Sequence, residues 1–421
     1  MNHILVLGLG ISGKSALKYL SEQGKRVVGV DKNASKLKLE PFFQNYTLLG
    51  EEEVHLSNFD CLVKSPGIPW EHPLVKEALD LGISVTSEME LALNVLQNKG
   101  KKLFAITGSN GKTTTTLLTT HILNVCGKKA LACGNVGIPL LSEVNSDIDF
   151  FVVELSSFQL ETLESKVFDA GCILNITPNH LDRYVNFDAY AKTKFRLQHC
   201  LKPEGKLFLS ERGCREFNHF IDPANKEKVA TIFPLSYRGG EIVIAAHDLE
   251  NLSFAKALTS LAHVKSEEFW EAFSSFIKPP HRIEFVREHQ GVRYVNDSKA
   301  TSCDAVIKAL EAMDRPVILI AGGLDKKGDF QSWIKIFREK VKKVLLIGKD
   351  AAKIEAELQD VVECELTETL SRALLRAQSL ANPGECVLFS PGCASYDQFR
   401  NYEHRGDVFK QLVNELGEKK L

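Results

Sequence analysis

No apolar run in this 421-residue sequence is long enough to span a lipid bilayer. The first residues also lack the charged segment, the long apolar core and the cleavage site of a secretory signal, because a short apolar segment already begins at Ile4. We therefore expect a cytoplasmic protein without membrane insertion.

The sequence also lacks any Cys-x-x-Cys pair, although it contains 10 cysteines. Scattered cysteines of this kind indicate small buried side chains or free thiols in a reducing compartment. Neither sign of charge is in excess, because 52 Lys and Arg residues oppose 54 Asp and Glu residues. We therefore expect no overall attraction to nucleic acid or to an anionic membrane. The length indicates about two to four domains of roughly 100–200 residues each.

A glycine-rich turn lies between an apolar strand predicted at residues 102–107 and a helix predicted at residues 114–125. Its backbone N–H groups would meet a helix N-terminus, where anions are favoured. Lys112 would neutralise phosphate charge and the Thr113 hydroxyl would bind Mg²⁺. The first glycine lies three residues before Gly111 rather than five, which indicates a subfamily of nucleoside-triphosphate loops. The competing interpretation is an ordinary strand-to-helix turn.

A second glycine turn, residues 8–13, follows a strand predicted at residues 4–7 and precedes a helix predicted at residues 14–23. The next predicted strand, residues 27–30, ends at Asp31, as in the dinucleotide-binding fingerprint. The separate triphosphate loop and the cation of Lys32 also allow the phosphates of another nucleotide-linked ligand. A tight turn that needs glycine only for packing is a third interpretation. Ser65 and Gly67 follow a strand predicted at residues 60–64 and would form a rim of this site.

Two strand ends in residues 92–278 carry further polar groups. Glu154 ends the apolar strand 150–154, where a nucleotide-bound Mg²⁺ needs a hard oxygen ligand. His180 lies in a polar loop after a strand predicted at residues 172–176, so a ligand role and a structural role are both open.

Residues 279–421 alternate strands and helices again. A hairpin is predicted from strands 283–288 and 292–296, followed by a helix at 303–313 and strands at 317–321, 344–347 and 387–390. The expected ligand loops are residues 322–327 and 391–399, at the carboxyl ends of strands. Overall we predict an α/β protein with domains at residues 1–91, 92–278 and 279–421.

Seven motifs, in this order, resemble the ATP-dependent Mur ligases of bacterial cell-wall synthesis; they are residues 107–113, 134–137, 154–158, 179–184, 281–282, 296–301 and 395–399. The resemblance implies a Rossmann-like UDP-binding domain, a central P-loop ATPase domain with a mostly parallel sheet, and a C-terminal Rossmann-like α/β domain that binds the amino acid. It also implies that the first glycine turn binds UDP phosphates, so no redox cofactor is expected.

The resemblance further implies an ATP-dependent ligase that forms an amide through an acyl phosphate. The runs at residues 8–13, 297–301 and 393–399 are similar to those of members that add D-glutamate to UDP-N-acetylmuramoyl-L-alanine. The Asp-Asn-Pro-Arg run of members that add a diamino acid does not occur in this chain. A monomer using ATP and Mg²⁺, with a second Mg²⁺ between the γ-phosphate and the substrate, is expected.

Motif by motif, the resemblance also implies site residues. The implied catalytic residues are Lys112, His180, Lys194 and Arg282. Lys194 lies in a helix predicted at residues 187–198 and aligns with the family's carbamylated lysine, so we expect it to be carbamylated. ATP would contact Gly108, Ser109, Asn110, Gly111, Lys112, Thr113, Thr114, Asn251, Arg282 and Asp297. The UDP substrate would contact Gly10, Ile11, Ser12, Asp31, Lys32, Ser65, Gly67, Asn135, Ser156 and His180. Mg²⁺ would be held by Thr113, Glu154, His180 and Lys194, and D-glutamate by Thr301, Lys326, Ser395, Tyr396 and Tyr402.

One run departs from the family pattern. The adenine-binding run His-Asn-x-x-Asn reads Glu250-Asn251-Leu252-Ser253-Phe254 in this chain. Only the first asparagine is kept, and Phe254 offers a ring for stacking where an amide would form a hydrogen bond.

Two other functions stay open at this point. Folylpolyglutamate synthase shares the ligase chemistry but begins near its phosphate loop, so residues 1–91 argue against it. A dinucleotide-dependent oxidoreductase is the alternative from a different class, and residues 1–91 would then bind NAD(P) rather than a UDP derivative.

Overall fold

The computed structural model describes residues 2–233, 235, 246–326 and 328–417. These residues form three β-sheets of five, six and six strands. The chain divides into two compact units, Met1–Ile176 with Ala191–Phe276, and Thr177–Tyr190 with Ile277–Leu421. The first two sheets lie in the first unit and the third sheet lies in the second. The predicted α/β fold with three sheet-containing domains is confirmed. Residue 327 of the predicted loop 322–327 lies outside the described residues.

The first sheet is entirely parallel, in the order β3-β2-β1-β4-β5. Its strands are β1 His3–Leu7, β2 Arg26–Val30, β3 Thr47–Leu49, β4 Cys61–Lys64 and β5 Ser84–Thr86. Its helices are α1 Ile11–Glu22, α2 Ala34–Leu37, α3 Pro73–Asp80 and α4 Glu88–Leu96. The strand order reverses between β1 and β4, and parallel sheets bind ligands beyond the carboxyl ends of strands at such a point.

The second sheet is also parallel, in the order β11-β10-β9-β6-β8-β7. Its strands are β6 Lys102–Thr107, β7 Ala130–Gly134, β8 Phe150–Glu154, β9 Phe168–Ile173, β10 Leu201–Ser210 and β11 Val229–Ile232. The helices from this part of the chain are α5 Lys112–Val125, α6 Ser157–Leu160, α7 Phe187–Phe195, α8 Glu211–Glu216, α9 Ala246–Ser260 and α10 Ser266–Ser274.

Two predictions for this sheet were wrong in their bounds. The strand predicted at residues 172–176 ends at Ile173, because the chain turns at Asn175 to hydrogen-bond the phosphate loop. The helix predicted at residues 187–198 ends at Phe195 and continues as the 3₁₀ helix Arg196–Cys200.

The third sheet has the order β12-β13-β17-β14-β15-β16, and only its hairpin pair is antiparallel. Its strands are β12 Glu284–His289, β13 Val292–Asn296, β14 Val317–Gly322, β15 Val341–Ile347, β16 Cys364–Glu368 and β17 Cys386–Phe389. Its helices are α11 Cys303–Glu311, α12 Ile334–Lys340, α13 Ala351–Leu358, α14 Leu370–Leu380 and α15 Tyr402–Asn414. Gln290 and Gly291 both have positive φ, as a two-residue hairpin turn requires.

Alternation along the central strands builds a core on each face of the third sheet. In β14, Val317 and Leu319 pack into one apolar cluster, while Ile318 and Ile320 pack into the other. A parallel sheet covered on both faces needs such near-continuous apolar strands, so polar residues are displaced to the strand ends. Within the described residues, no helix is both long and apolar enough to cross a membrane.

Helix α4 connects the first two sheets within the first unit. Its N-cap Ser87 accepts a hydrogen bond from Thr162 Oγ1 (2.9 Å), Glu88 accepts one from the Leu141 N–H (2.7 Å), and Glu90 accepts several from Ser165. The predicted boundary between residues 91 and 92 therefore falls inside a continuous, anchored helix. The three predicted domain ranges remain predictions.

We expect Glu88→Gln to change the pH dependence of stability. Burial raises the pKa of Glu88 to about 7, whereas an unfolded glutamate titrates near 4.3. The folded chain therefore holds the extra proton, and stability falls by about 1.4 kcal/mol per pH unit between these two values. Glutamine keeps the acceptor for Leu141 and does not titrate. Urea unfolding should show the variant gaining on the parent from pH 5 to pH 7, and curves that stay parallel would contradict this.

Candidate active site

The phosphate loop follows β6 and leads into α5, as predicted. Gly108 and Gly111 have φ values of 149° and 82°, which side chains other than glycine rarely adopt. Asn175, just beyond β9, braces the loop: its carbonyl accepts from the Ser109 N–H at 2.8 Å, and its Oδ1 accepts from the Asn110 N–H at 2.9 Å. Sequence analysis missed Asn175 because it fell inside the strand predicted at residues 172–176, although a polar side chain in that apolar run was an available signal.

Lys112 opens α5 and turns its side chain back over the loop. Its ammonium donates to the carbonyl oxygens of Gly108 (2.8 Å) and Ser109 (2.9 Å). Thr113, in the first turn of α5, is buried and Thr114 is half-buried. The positive charge of Lys112 is thus held at the mouth of the loop, where a phosphate would need it.

Glu154 is the last residue of β8, beside the phosphate loop. Its two carboxylate oxygens differ in their hydrogen bonding. Oε1 accepts a hydrogen bond from Asn135 Nδ2 at 2.6 Å. Oε2 is buried and has no hydrogen-bond partner among the residues that the structure describes. A buried acceptor without a partner is costly, and more so when it carries charge. An oxygen of this kind fits a divalent cation.

Mg²⁺ fits this donor set better than a transition metal does. In the described parts of the chain, no three His, Cys, Asp or Glu residues are grouped to hold an ion by themselves. Mg²⁺ commonly takes one or two protein oxygens and completes its shell with water and substrate phosphates. Thr113 and Glu154 would supply such oxygens.

Lys194 is almost completely buried in α7, at 1% exposure. Its ammonium lies 3.4 Å from Thr107 Oγ1. Burial, and then the charge of Lys112, lowers the pKa of Lys194 well below its usual range, while the charge of Glu154 acts in the opposite direction. This environment favours the neutral amine over the ammonium.

Asn251 packs against the phosphate loop. It is 6% exposed, and its Oδ1 accepts from Thr115 Oγ1 at 3.3 Å. A Cβ added to Gly111 would stand 2.3 Å from the same oxygen. Phe254 is fully buried in the core with Ile106. The ring of Phe254 is therefore not available for stacking on adenine, because that face of α9 packs inward.

The first glycine turn is closed by two side chains. Asp31 accepts from the Leu9 N–H (2.9 Å) through Oδ2 and from the Asn33 N–H (2.8 Å) through Oδ1, and Ser65 Oγ donates to the Gly8 carbonyl at 2.6 Å. Among the other predicted UDP-substrate residues, Ser12 is half-buried and the exposed ones are Gly10, Ile11, Lys32 and Gly67. The turn thus presents an open edge at the switch between β1 and β4.

Ser156 has a local structural role in addition to its predicted one. It is the N-cap of α6, where its hydroxyl accepts from the Gln159 N–H at 3.2 Å. Asn135, predicted with it to orient the substrate, is held against Glu154.

The second unit contains the remaining predicted residues of the ATP site. Arg282 lies between His281 and Ile283, which both have positive φ. Asp297 follows β13 and accepts from Ser390 Oγ at 2.8 Å and from the Ile283 N–H at 3.2 Å. Burial raises the pKa of Asp297 to about 7 against these hydrogen bonds. Asp297 therefore fixes the backbone next to Arg282.

His180 lies in the same unit, with a φ of 56°. Its N–H donates to Asn179 Oδ1 at 2.9 Å, and its carbonyl accepts from the N–H groups of Arg183 and Tyr184. The loop is therefore shaped by its own hydrogen bonds, and the ring packs 6.4 Å from that of Tyr190.

Thr301 and Lys326, two of the predicted D-glutamate residues, line one pocket of about 180 Å³ in the second unit. Burial lowers the pKa of Lys326, although the charge of Asp182 opposes this. The other three predicted residues do not line the pocket. Tyr396 is 72% exposed, Ser395 is buried and Tyr402 opens α15; their roles remain predictions.

Sequence analysis also missed Arg405, a fully buried arginine in α15. Its guanidinium donates to Ser298 Oγ (3.1 Å), to the Ser298 carbonyl (2.8 Å) and to the Cys393 carbonyl (3.0 Å). It therefore joins the two loops that carry Thr301 and Ser395. No motif marks it, because an arginine in an amphipathic helix usually faces solvent.

The fold and the site together define a nucleotide-dependent enzyme of the α/β class, with a phosphate loop beside a strand-end carboxylate. Comparison with known proteins agrees. The sequence matches the Mur ligase MurD-like N-terminal domain over residues 2–87, the Mur ligase middle domain over residues 106–269, and the Mur ligase glutamate ligase domain over residues 281–393.

Relatives align over nearly the whole chain. UDP-N-acetylmuramoylalanine–D-glutamate ligases of Protochlamydia amoebophila and Chlamydia pneumoniae are 40% and 38% identical, each covering 98% of both chains. Among solved structures, the UDP-N-acetylmuramate-alanine ligase of Thermotoga maritima has a TM-score of 0.60 at 15% identity, covering 98% of this chain and 99% of that one. The MurF ligase of Thermotoga maritima in complex with ADP has a TM-score of 0.63 at 15% identity, covering 92% and 95%.

The chain therefore belongs to the Mur ligase family. It is an ATP-dependent ligase of peptidoglycan precursor synthesis, as the sequence motifs predicted. The match over residues 2–87 counts against folylpolyglutamate synthase and against a dinucleotide-dependent oxidoreductase.

We expect Gly13→Ala to destabilise the first glycine turn. A Cβ at Gly13 would stand 2.0 Å from the carbonyl oxygen of Gly8, which cannot move away as a side chain could. Despite the helix propensity of alanine, this overpacking should lower the free energy of unfolding by about 1–3 kcal/mol. The control is Gly67→Ala, where nothing lies within 4 Å; it should change stability by less than about 0.5 kcal/mol. Equal urea-unfolding midpoints for both variants would contradict the geometry.

Proposed function

We propose that this chain adds D-glutamate to UDP-N-acetylmuramoyl-L-alanine, using ATP, in the cytoplasmic synthesis of peptidoglycan precursors. The observation that carries the proposal is the 98% alignment with relatives of that name, at 40% and 38% identity. The phosphate loop, the Glu154 carboxylate and the pocket of Thr301 and Lys326 supply groups that suit this chemistry.

The proposed reaction has two steps. An oxygen of the substrate carboxylate forms a bond to the γ-phosphorus of ATP while the bond to ADP breaks, giving an acyl phosphate. The amine of D-glutamate then bonds to the acyl carbon, phosphate leaves with the bridging oxygen, and the amine loses its proton. ADP, phosphate and the amide are the products.

Two negatively charged reactants must meet in the first step. Lys112 and the N–H groups of the phosphate loop would stabilise charge on the transferring phosphoryl group, and Arg282 would add a second cation. Thr113 and Glu154 would hold one Mg²⁺, and His180 with Lys194 would support a second. When bound, Mg²⁺ offsets the charge of the phosphate oxygens.

The predicted contacts with the substrates are likewise divided among separate groups of residues. Gly10, Ile11 and Ser12 would bind the UDP phosphates, with Asp31 and Lys32 near the uracil, while Asn135 and Ser156 orient the muramoyl group. Asn251 would support the ATP site through the phosphate loop. These roles, and the monomeric state, are predictions.

The pocket in the second unit suits an amino acid with two carboxylates. Lys326 supplies a cation and Thr301 a hydroxyl. The acidic residues of the same lining are partly neutralised, because Asp304 lies 3.3 Å from Lys308 and Asp325 lies 2.6 Å from Lys353. These two ion pairs reduce the negative charge that the lining, which also includes Asp329, presents to an anionic ligand.

Carbamylation of Lys194 is the least conventional part of the proposal. A carbamate forms when a neutral amine attacks CO₂ and releases one proton, and burial of Lys194 favours that neutral amine. The product is an anion, which would be balanced by Lys112 and by Mg²⁺.

Phosphate release from ATP tests the proposed function directly. The purified chain is incubated with UDP-N-acetylmuramoyl-L-alanine and, in separate reactions, D-glutamate, L-glutamate or a diamino acid. Release that requires both the UDP substrate and D-glutamate is expected. Equal use of L-glutamate or of a diamino acid would refute the D-glutamate assignment and leave only the family membership.

We predict that Lys194→Ala is nearly inactive and that a short carboxylic acid, such as acetate, restores part of its activity by replacing the lost anion. Steady-state turnover with and without the acid measures this. As a control, Lys192→Ala lies on the same helix and should stay active. Normal turnover of Lys194→Ala without additive would remove the carbamate from the mechanism.

We predict that Lys326→Ala raises the KM for D-glutamate by about 10–100-fold, since a hydrogen bond to a charged group contributes roughly 1.5–3 kcal/mol. The KM values for ATP and the UDP substrate should be nearly unchanged. If all three values rise together, Lys326 supports the fold rather than D-glutamate.

A further inference from the structure

Lys64, the last residue of β4, is a lysine with no exposed side-chain surface. Its ammonium donates to the Ile68 carbonyl at 2.7 Å and lies 5.3 Å from the centre of the Trp70 ring. Glu161 Oε2 lies 3.9 Å away and is itself only 10% exposed. Burying an ammonium is costly unless it is paired, so these partners account for its presence in the interior.

The groups around Lys64 come from two parts of the first unit. Ile68 and Trp70 belong to the loop that follows β4 at the switch point of the first sheet. Glu161 directly follows α6, the short helix capped by Ser156 beyond β8. Lys64 therefore connects the loop of the first sheet to the carboxyl edge of the second.

The loop after β4 also contacts the first glycine turn. Ser65 Oγ donates to the Gly8 carbonyl at 2.6 Å, and a Cβ on Gly8 would stand 3.0 Å from Ser65 Cβ and 3.1 Å from Ile68 Cγ1. A shift of Ile68 would therefore change the packing around Gly8 in the glycine turn. The hydrogen bond from the Lys64 ammonium to the Ile68 carbonyl oxygen holds the backbone of Ile68 in place.

We propose that the buried pair Lys64 and Glu161 is a positioning element that sets the loop after β4 for binding of the UDP substrate and aligns it with the edge of the second sheet. The inference rests on the proposed function. A buried pair is often replaceable by apolar side chains without loss of stability. Its use here is to fix one geometry of two loops, and neither Lys64 nor Glu161 is among the residues predicted to contact ATP or the amino acid.

The test compares Lys64→Met, Glu161→Gln and the double variant with wild type. Calorimetry measures the Kd for UDP-N-acetylmuramoyl-L-alanine, and kinetics measure the KM for each substrate. Each variant should weaken UDP-substrate binding by about tenfold, the scale of one charge-assisted hydrogen bond, with KM for ATP and D-glutamate within about twofold. The double variant should match the singles, because the two groups act as one pair.

Lys99→Met is the matched control. Lys99 also donates to a carbonyl oxygen, that of Val144 at 2.8 Å, but it is exposed. It should bind the UDP substrate as wild type does.

The double variant also guards against misfolding, because it leaves no unpaired buried charge. If it folds with wild-type thermal stability yet binds the UDP substrate weakly, the positioning role is supported. If it binds the substrate as wild type does, or if all three KM values rise equally, the inference is wrong although the proposed function stands. If wild type itself fails to bind the UDP substrate, the proposed function falls and the inference with it.

Discussion

Buried charge at the carboxyl edge of the second sheet is the constraint on which the rest of this structure depends. Glu154 is buried, and its Oε2 has no hydrogen-bond partner among the described residues. The buried Lys194 lies within the fields of Glu154 and Lys112, and its burial favours the neutral amine. Charges in such a place are tolerated only when they are balanced. Mg²⁺ would balance Glu154 and phosphate oxygens would balance Lys112, so we expect bound substrates to complete the charge balance of the site. Catalysis of phosphoryl transfer by preorganised electrostatics requires charges that are held in place in this way before the reaction.

The fold brings residues from several strands to this edge of the second sheet. Parallel strands place their carboxyl ends together, so that the phosphate loop after β6, Glu154 at the end of β8 and Asn175 after β9 meet at one edge of one sheet. The first and third sheets repeat the arrangement, with predicted ligand loops after β1 and β4 and after β13 and β14. The proposed binding of three substrates at three sheets would follow the same topological rule.

Local signals were enough to predict much of this architecture. The positive φ of Gly108 and Gly111, the hairpin at Gly291 and the strand end at Glu154 follow from glycine placement and apolar periodicity, which are properties of short segments. The burial of individual side chains in the tertiary structure could not be predicted from such local signals. Lys194 and Arg405 have the spacing of solvent-exposed helix residues but are buried. Phe254, whose ring could have stacked on adenine, packs into the core. In each case a neighbouring element, not the residue's own segment, decides the environment.

Isotope transfer from the substrate carboxylate tests the central claim most directly. The alanyl carboxylate of UDP-N-acetylmuramoyl-L-alanine is labelled with ¹⁸O at both oxygens, and the reaction is run with ATP and D-glutamate. Attack of the carboxylate on the γ-phosphorus predicts that each released phosphate carries one ¹⁸O, because the bridging oxygen leaves with it. Mass spectrometry of the phosphate measures the label. Unlabelled phosphate formed together with the amide would show that no acyl phosphate lies on the path and would contradict the account.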